Sequence, residues 1–108
     1  KQFKIITESV LDSCEIKSTR FKVVLALNIF HHFLKTRTHY YNLIELLKNL
    51  QMEELFFESH LASDIQMQGA YRNYTPDEFV EFITRNSCLK QADLIGVMTD
   101  GRPLYRVY

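Results

Sequence analysis

The stretch TPDEFVEFITRNSCLKQADLIGVMTDGRPLYRVY, residues 75–108, decides how the chain is read. It opens on a complete helix start. The Thr75 hydroxyl can accept from the backbone N–H of Glu78, and Glu78 can reach back to the N–H of Thr75. Pro76 falls at the first helical position, where no donor is needed. Phe79, Val80, Phe82 and Ile83 give the helix an apolar face through residue 85, and Asn86-Ser87 ends it. Residues 89–94 suit one more helical turn. Asp100-Gly101 then lies between two apolar runs, and Asp-Gly supplies the positive φ angles of a tight hairpin turn. Val97 and Met98 are expected to pair with residues 104–107 across it. Pro103 cannot donate to a ladder, which places its strand on an edge.

Upstream, apolar spacing suggests helices. Phe3, Ile6 and Val10 recur at helical intervals over residues 3–14. Residues 19–36 are apolar around more than half of a helical circumference, so a central core helix is predicted there. Thr38 can cap a further helix carrying Tyr41, Leu43, Ile44, Leu46, Leu47 and Leu50. No Gly or Pro occurs between Thr38 and Gln68, which favours one long helix to residue 61, or two with a slight break near Gln51. A strand around residues 55–57 is the rival. Residues 62–74 read as a loop. Several helices followed by a capped helix and a hairpin make a mainly α fold with a small β-hairpin, the pattern of a winged-helix domain.

At 108 residues the chain makes one domain, with a single core. It starts at Lys1 rather than Met and carries no signal peptide, which suggests a piece of something longer. Lys plus Arg equals Asp plus Glu, so no overall basic excess favours phosphate binding. The charges are nevertheless segregated. Residues 1–50 hold eight basic and four acidic side chains, residues 51–81 one and seven, and residues 82–108 four and two. Such division can steer a partner only where the fold clusters it. Cys14 and Cys88 follow no metal or redox spacing and suit reduced thiols. No apolar run is long enough to cross a membrane.

Catalytic signatures are missing from the sequence. His31, His32, His39 and His60 lack metal-ligand spacing, so structural or surface roles are expected and no metal or cofactor is implied. Glu53, Glu54 and Glu58 read as a solvated helix face rather than an acid–base pair, with no nucleophile marked nearby. Three scattered glycines cannot cradle a phosphate. The candidate nucleic-acid contacts are Arg85, Lys90, Arg102 and Arg106, on the hairpin and just before it. Tyr105 and Tyr108 could stack on a base or face the core.

With these elements placed, the chain resembles the C-terminal winged-helix extension of the minichromosome maintenance (MCM) family of eukaryotic replicative helicases, in its subunit-two branch. Val10-Leu11-Asp12-Ser13 is similar to a "(V/M)L(D/E)SF" segment, with Cys14 where the family has an aromatic residue. Residues 29–37, IFHHFLKTR, resemble "TFxRYLxxR". Residues 43–50 resemble the Leu-rich helix that follows it. Residues 76–81 resemble "EKDLVD", and Leu104-Tyr105-Arg106-Val107 resembles "LFRM". The resemblance implies a nuclear, non-catalytic module of a DNA replication licensing helicase. Its expected partners are other MCM helicase subunits and origin-loading factors, with duplex DNA second, and neither a membrane nor a small-molecule substrate. A DNA-binding winged helix of a transcription regulator is the alternative, and a domain that only packs on its parent chain a third.

Overall fold

The computed structural model describes residues 3–5, as backbone, and residues 19–108. Their elements run in the order β1 (Phe3–Ile5), β2 (Arg20–Leu27), a 3-10 helix (Phe30–Leu34), α1 (Arg37–Asn49), β3 (Gln51–Glu58), a 3-10 turn (Ile65–Met67), α2 (Pro76–Asn86), β4 (Ala92–Val97) and β5 (Pro103–Val107). The strands form one sheet in the order β1-β2-β3-β5-β4. β1 and β3 flank β2 in parallel, with Val24 opposite both Lys4 and Leu55. β5 is antiparallel to β3, with Phe57 opposite Tyr105, and β4 is antiparallel to β5. The fold is therefore mixed α/β, not mainly α and not a winged helix.

Each correction has a physical cause. Residues 19–36 are not one helix. β2 carries apolar residues on both faces, Val24 and Ala26 buried and Val23 and Leu25 half-buried, and such a near-continuous apolar run cannot be told from a buried helix by periodicity. The β-branched Val23 and Val24 favour the strand. β2 stops where Asn28 takes φ 54°, a left-handed conformation that Asn tolerates better than other non-Gly residues. Residues 51–58 are a strand rather than a helix extension, so the rival expectation was the right one there. Met52, Leu55 and Phe57 are buried while Gln51 and Glu53 are exposed. The helix expected over residues 3–14 begins instead as β1, and its remainder, with Cys14, lies outside the described residues.

α1 is capped by Thr36 rather than Thr38, the Thr36 hydroxyl accepting from the His39 N–H at 3.2 Å. In the last third, β4 takes the place of the expected helical turn, and the hairpin closes through a longer turn. There Gly101 has φ 89° and Met98 donates its N–H to the Arg102 carbonyl. β5 lies inside the sheet, so Pro103 is tolerated as its first residue and not by an edge position.

The capped helix at residue 75 is as expected. The Glu78 N–H donates to the Thr75 hydroxyl at 3.3 Å, and the Thr75 N–H to the Glu78 carboxylate at 2.9 Å. This reciprocal pair satisfies two amides of α2, so Thr75→Ala is expected to cost about 1 kcal/mol. Urea denaturation beside Thr75→Ser, which keeps the oxygen, measures it.

The core lies between the helices and one face of the sheet. The Phe57 ring sits 5.0 Å from Phe79 of α2, 5.7 Å from Phe30 and 6.4 Å from Tyr105. Tyr40 of α1 meets Phe82 of α2 at 5.5 Å. On the other sheet face Glu54, Phe56, Glu58, Leu104 and Arg106 are half-buried. Thus β2, α1 and β3 form a parallel β-α-β unit, and its two strands end side by side.

Candidate functional site at the carboxyl edge

In α/β sheets, ligands bind in the crevice beyond the carboxyl ends of parallel strands. That edge here carries an unusual density of buried polar groups. Asn28 follows β2 directly, and its N–H donates to the Glu58 carbonyl at 3.1 Å, tying the end of β2 to the end of β3. The Asn28 Oδ1 is buried and accepts no hydrogen bond among the described residues. The chain then turns into the 3-10 helix, which presents His31, 2% exposed, and His32.

β3 ends on Glu58, and Ser59 and His60 follow it, both fully buried. The Ser59 N–H donates to the Pro103 carbonyl, which anchors this end to β5. The His60 tautomer follows from its neighbour. Asn73 donates from Nδ2 to the Ala62 carbonyl at 2.9 Å, so its Oδ1 faces His60 Nε2 at 2.9 Å as an acceptor. Nε2 therefore carries the proton, and the buried Nδ1 is left with an unused lone pair.

The His31 ring lies tilted 4.0 Å from His32 and stacks 5.5 Å from His60. Neither of its buried nitrogens makes a well-formed hydrogen bond among the described residues. Burial, followed by the neighbouring His32 and His60, lowers its pKa to about 4, with the Gln66 side chain pulling the other way. Burial likewise lowers His60. Both imidazoles are thus neutral at pH 7. A base of pKa about 4 is a poor proton acceptor, so His31 suits orientation and hydrogen bonding better than proton transfer.

An ion pair closes the rim. Arg102 donates from Nη2 to Asp64 at 2.9 Å and from Nη1 to Asp100. Asp64 also accepts from the Leu61 N–H at 3.2 Å. Burial alone would raise Asp64, but the Leu61 amide and the Arg102 guanidinium hold it below the ordinary carboxylate range. Among the described residues, no group of three or more His, Cys, Asp and Glu is arranged to hold a metal ion. A cavity of about 280 Å³ lined by Tyr74, Glu78, Glu81 and Arg85 lies along α2, with Glu81 and Arg85 paired to each other.

Of the four cations singled out in the sequence, only Arg102 reaches this edge. Arg85 pairs with Glu81 at 3.2 Å on α2. The Lys90 ammonium donates to the Thr84 and Ser87 carbonyls, satisfying the end of α2. Arg106 pairs with Glu54 and stacks on Tyr108 at 4.2 Å. They do not meet as one free basic face. Tyr105 is a core residue whose hydroxyl donates to Asp77, and Tyr108 donates to Asp93.

Sequence spacing gives His31 and His60 only structural or surface roles and makes Asn28 a helix position. The available signal was an Asn closing an apolar run just before His-His, which is legible only once that run is read as a strand. The chain matches no family model, no curated protein and no solved structure.

Proposed function

We propose that this chain is a ligand-binding α/β unit whose carboxyl edge takes a small polar molecule of the nucleoside type. The helicase-docking expectation rested on a winged helix and is not carried further. The observation that supports the new reading is the set of buried polar atoms at Asn28, His31 and His60 that make no well-formed hydrogen bond among the described residues. Each buried polar atom left unpaired costs about 1–3 kcal/mol. Such a cost, repeated at the edge where parallel sheets bind ligands, supports reading that edge as a binding site. Asn28 Oδ1 and His60 Nδ1 are acceptors, so they call for a ligand rich in O–H or N–H groups, such as a ribose and an amino-bearing base. The nucleoside class is a fold-level analogy with doubly wound sheets.

The test is a calorimetric and NMR titration with adenosine, ATP, NAD and S-adenosylmethionine. At least one is expected to bind and to perturb the ring signals of His31 and His60. Asn28→Gly removes the acceptor while keeping the left-handed backbone, where Gly is at no disadvantage. The variant should stay folded and bind about tenfold more weakly, the worth of one hydrogen bond. Failure of every ligand to bind, or undiminished binding to Asn28→Gly, would reject the proposal.

A further inference from the structure

The fold assembles a positive patch that the neutral net charge conceals. Residues 27–44 contain no Asp or Glu, and neither do residues 65–76. The structure joins these two acid-free segments. The Tyr71 N–H donates to the Lys35 carbonyl at 3.1 Å, and the Arg72 N–H to the Leu34 carbonyl at 3.1 Å. Lys35, Arg37 and Arg72 thus share one surface. Among the described residues none of the three is in a salt bridge with a carboxylate, in contrast to Arg85, Arg102 and Arg106. Glu45, one turn beyond Tyr41 on α1, bounds the patch.

The same surface is lined with rings. The Arg72 guanidinium lies over Tyr71 at 4.6 Å and Tyr40 at 5.6 Å, and that of Arg37 over Tyr41 at 5.9 Å. Tyr41 and Tyr71 are 6.5 Å apart, and Tyr41 is 48% exposed. An exposed tyrosine held beside cations rather than in the core keeps a π-face for an incoming ring. Three uncompensated cations interleaved with tyrosines are the chemistry of a single-stranded nucleic-acid platform, in which rings stack on bases and cations follow phosphates. A duplex keeps its bases stacked on each other and cannot use the tyrosine faces.

We infer that Lys35, Arg37, Tyr41, Tyr71 and Arg72 form a docking surface for single-stranded nucleic acid. It stands whether or not the carboxyl edge takes a nucleoside, because it uses none of Asn28, His31 and His60.

The test is fluorescence anisotropy of the full chain with a labelled oligonucleotide of about 10 nucleotides, within the site sizes of such platforms. Binding is expected, with affinity falling with salt at a log–log slope of about −2 for three phosphate contacts on a single strand. Tyr41→Ala should weaken it about tenfold, the loss of one stacked base, while Tyr41→Phe keeps the ring and retains it. Arg37→Ala and Arg72→Ala should each flatten the salt slope by about 0.7. Arg85→Ala, on α2, should leave both unchanged. Circular dichroism establishes that each variant is folded. No binding at low salt, equal losses from Arg85→Ala and Tyr41→Ala, or equal affinity for a duplex or a mononucleotide would overturn the inference.

Discussion

Phe57→Ala is expected to cost about 3–5 kcal/mol, the range for emptying a buried aromatic site. Phe57 is fully buried on β3, and three rings from three different elements close on it: Phe30, Phe79 and Tyr105. Its backbone lies between Ala26 of β2 and Tyr105 of β5, so the surrounding sheet cannot easily collapse into the gap. Typical domains are stable by only about 5–15 kcal/mol, so the variant should unfold at a much lower urea concentration. Phe56→Ala is the decisive comparison. Phe56 points to the opposite, half-buried face, and its removal should cost clearly less. In a helix these neighbours would lie about 100° apart, and the two-faced alternation from Glu54 to Glu58 would not arise. Equal midpoint shifts for the two variants would count against β3 as a strand, and with it the parallel pair that forms the carboxyl edge.

What could be read from the sequence followed the range of the forces involved. The Thr75–Glu78 box was legible because every atom of it lies within four residues. The turn at Gly101 was legible because Asp-Gly is a local conformational preference. β2 was not, because RFKVVLAL carries apolar residues on both faces: Phe21, Val24 and Ala26 are buried, while Val23 and Leu25 are half-buried on a sheet whose order only the fold reveals. Apolar residues all around an imagined cylinder look the same for a core helix and a central strand. That one ambiguity displaced the rest, since a helix over residues 19–36 leaves Asn28 and His31 as helix positions of no consequence. As residues just past a strand they lie where a parallel sheet binds ligands. The four cations near the hairpin were visible as charges, but the partners of Arg102 and Arg106, Asp64 and Glu54, come from the loop after β3 and from β3 itself. The patch at Arg37 and Arg72 depends on a loop that returns to the 3-10 helix, and spacing in sequence carries no trace of it.

Acidification should destabilise the protein through His31, well before carboxylates titrate. The His31 pKa is about 4 in the folded protein and 6.5 when unfolded, lowered first by burial and then by His32, His60 and Lys35, against the opposing Gln66 side chain. Between these values the unfolded chain binds a proton that the native state refuses, so stability rises with pH across this window. Above about pH 6.5 the ring is neutral in both states and the dependence on this group ends. From pH 7 down to pH 4 the loss should approach about 3 kcal/mol, at 1.36 kcal/mol for each unit of difference. The lowered His60 adds to the loss in the same direction, whereas the lowered Asp64 acts at lower pH, where its carboxylate is protonated. Urea midpoints measured from pH 4 to 8 give the curve, and NMR of the imidazole ring should find His31 still neutral at pH 5.5. Whatever its stability at pH 7, His31→Asn should give a curve flatter across the window by close to one proton. Parallel curves for the variant and the natural chain would show that His31 titrates normally, and would remove the buried neutral imidazole on which the polarity of the carboxyl edge depends.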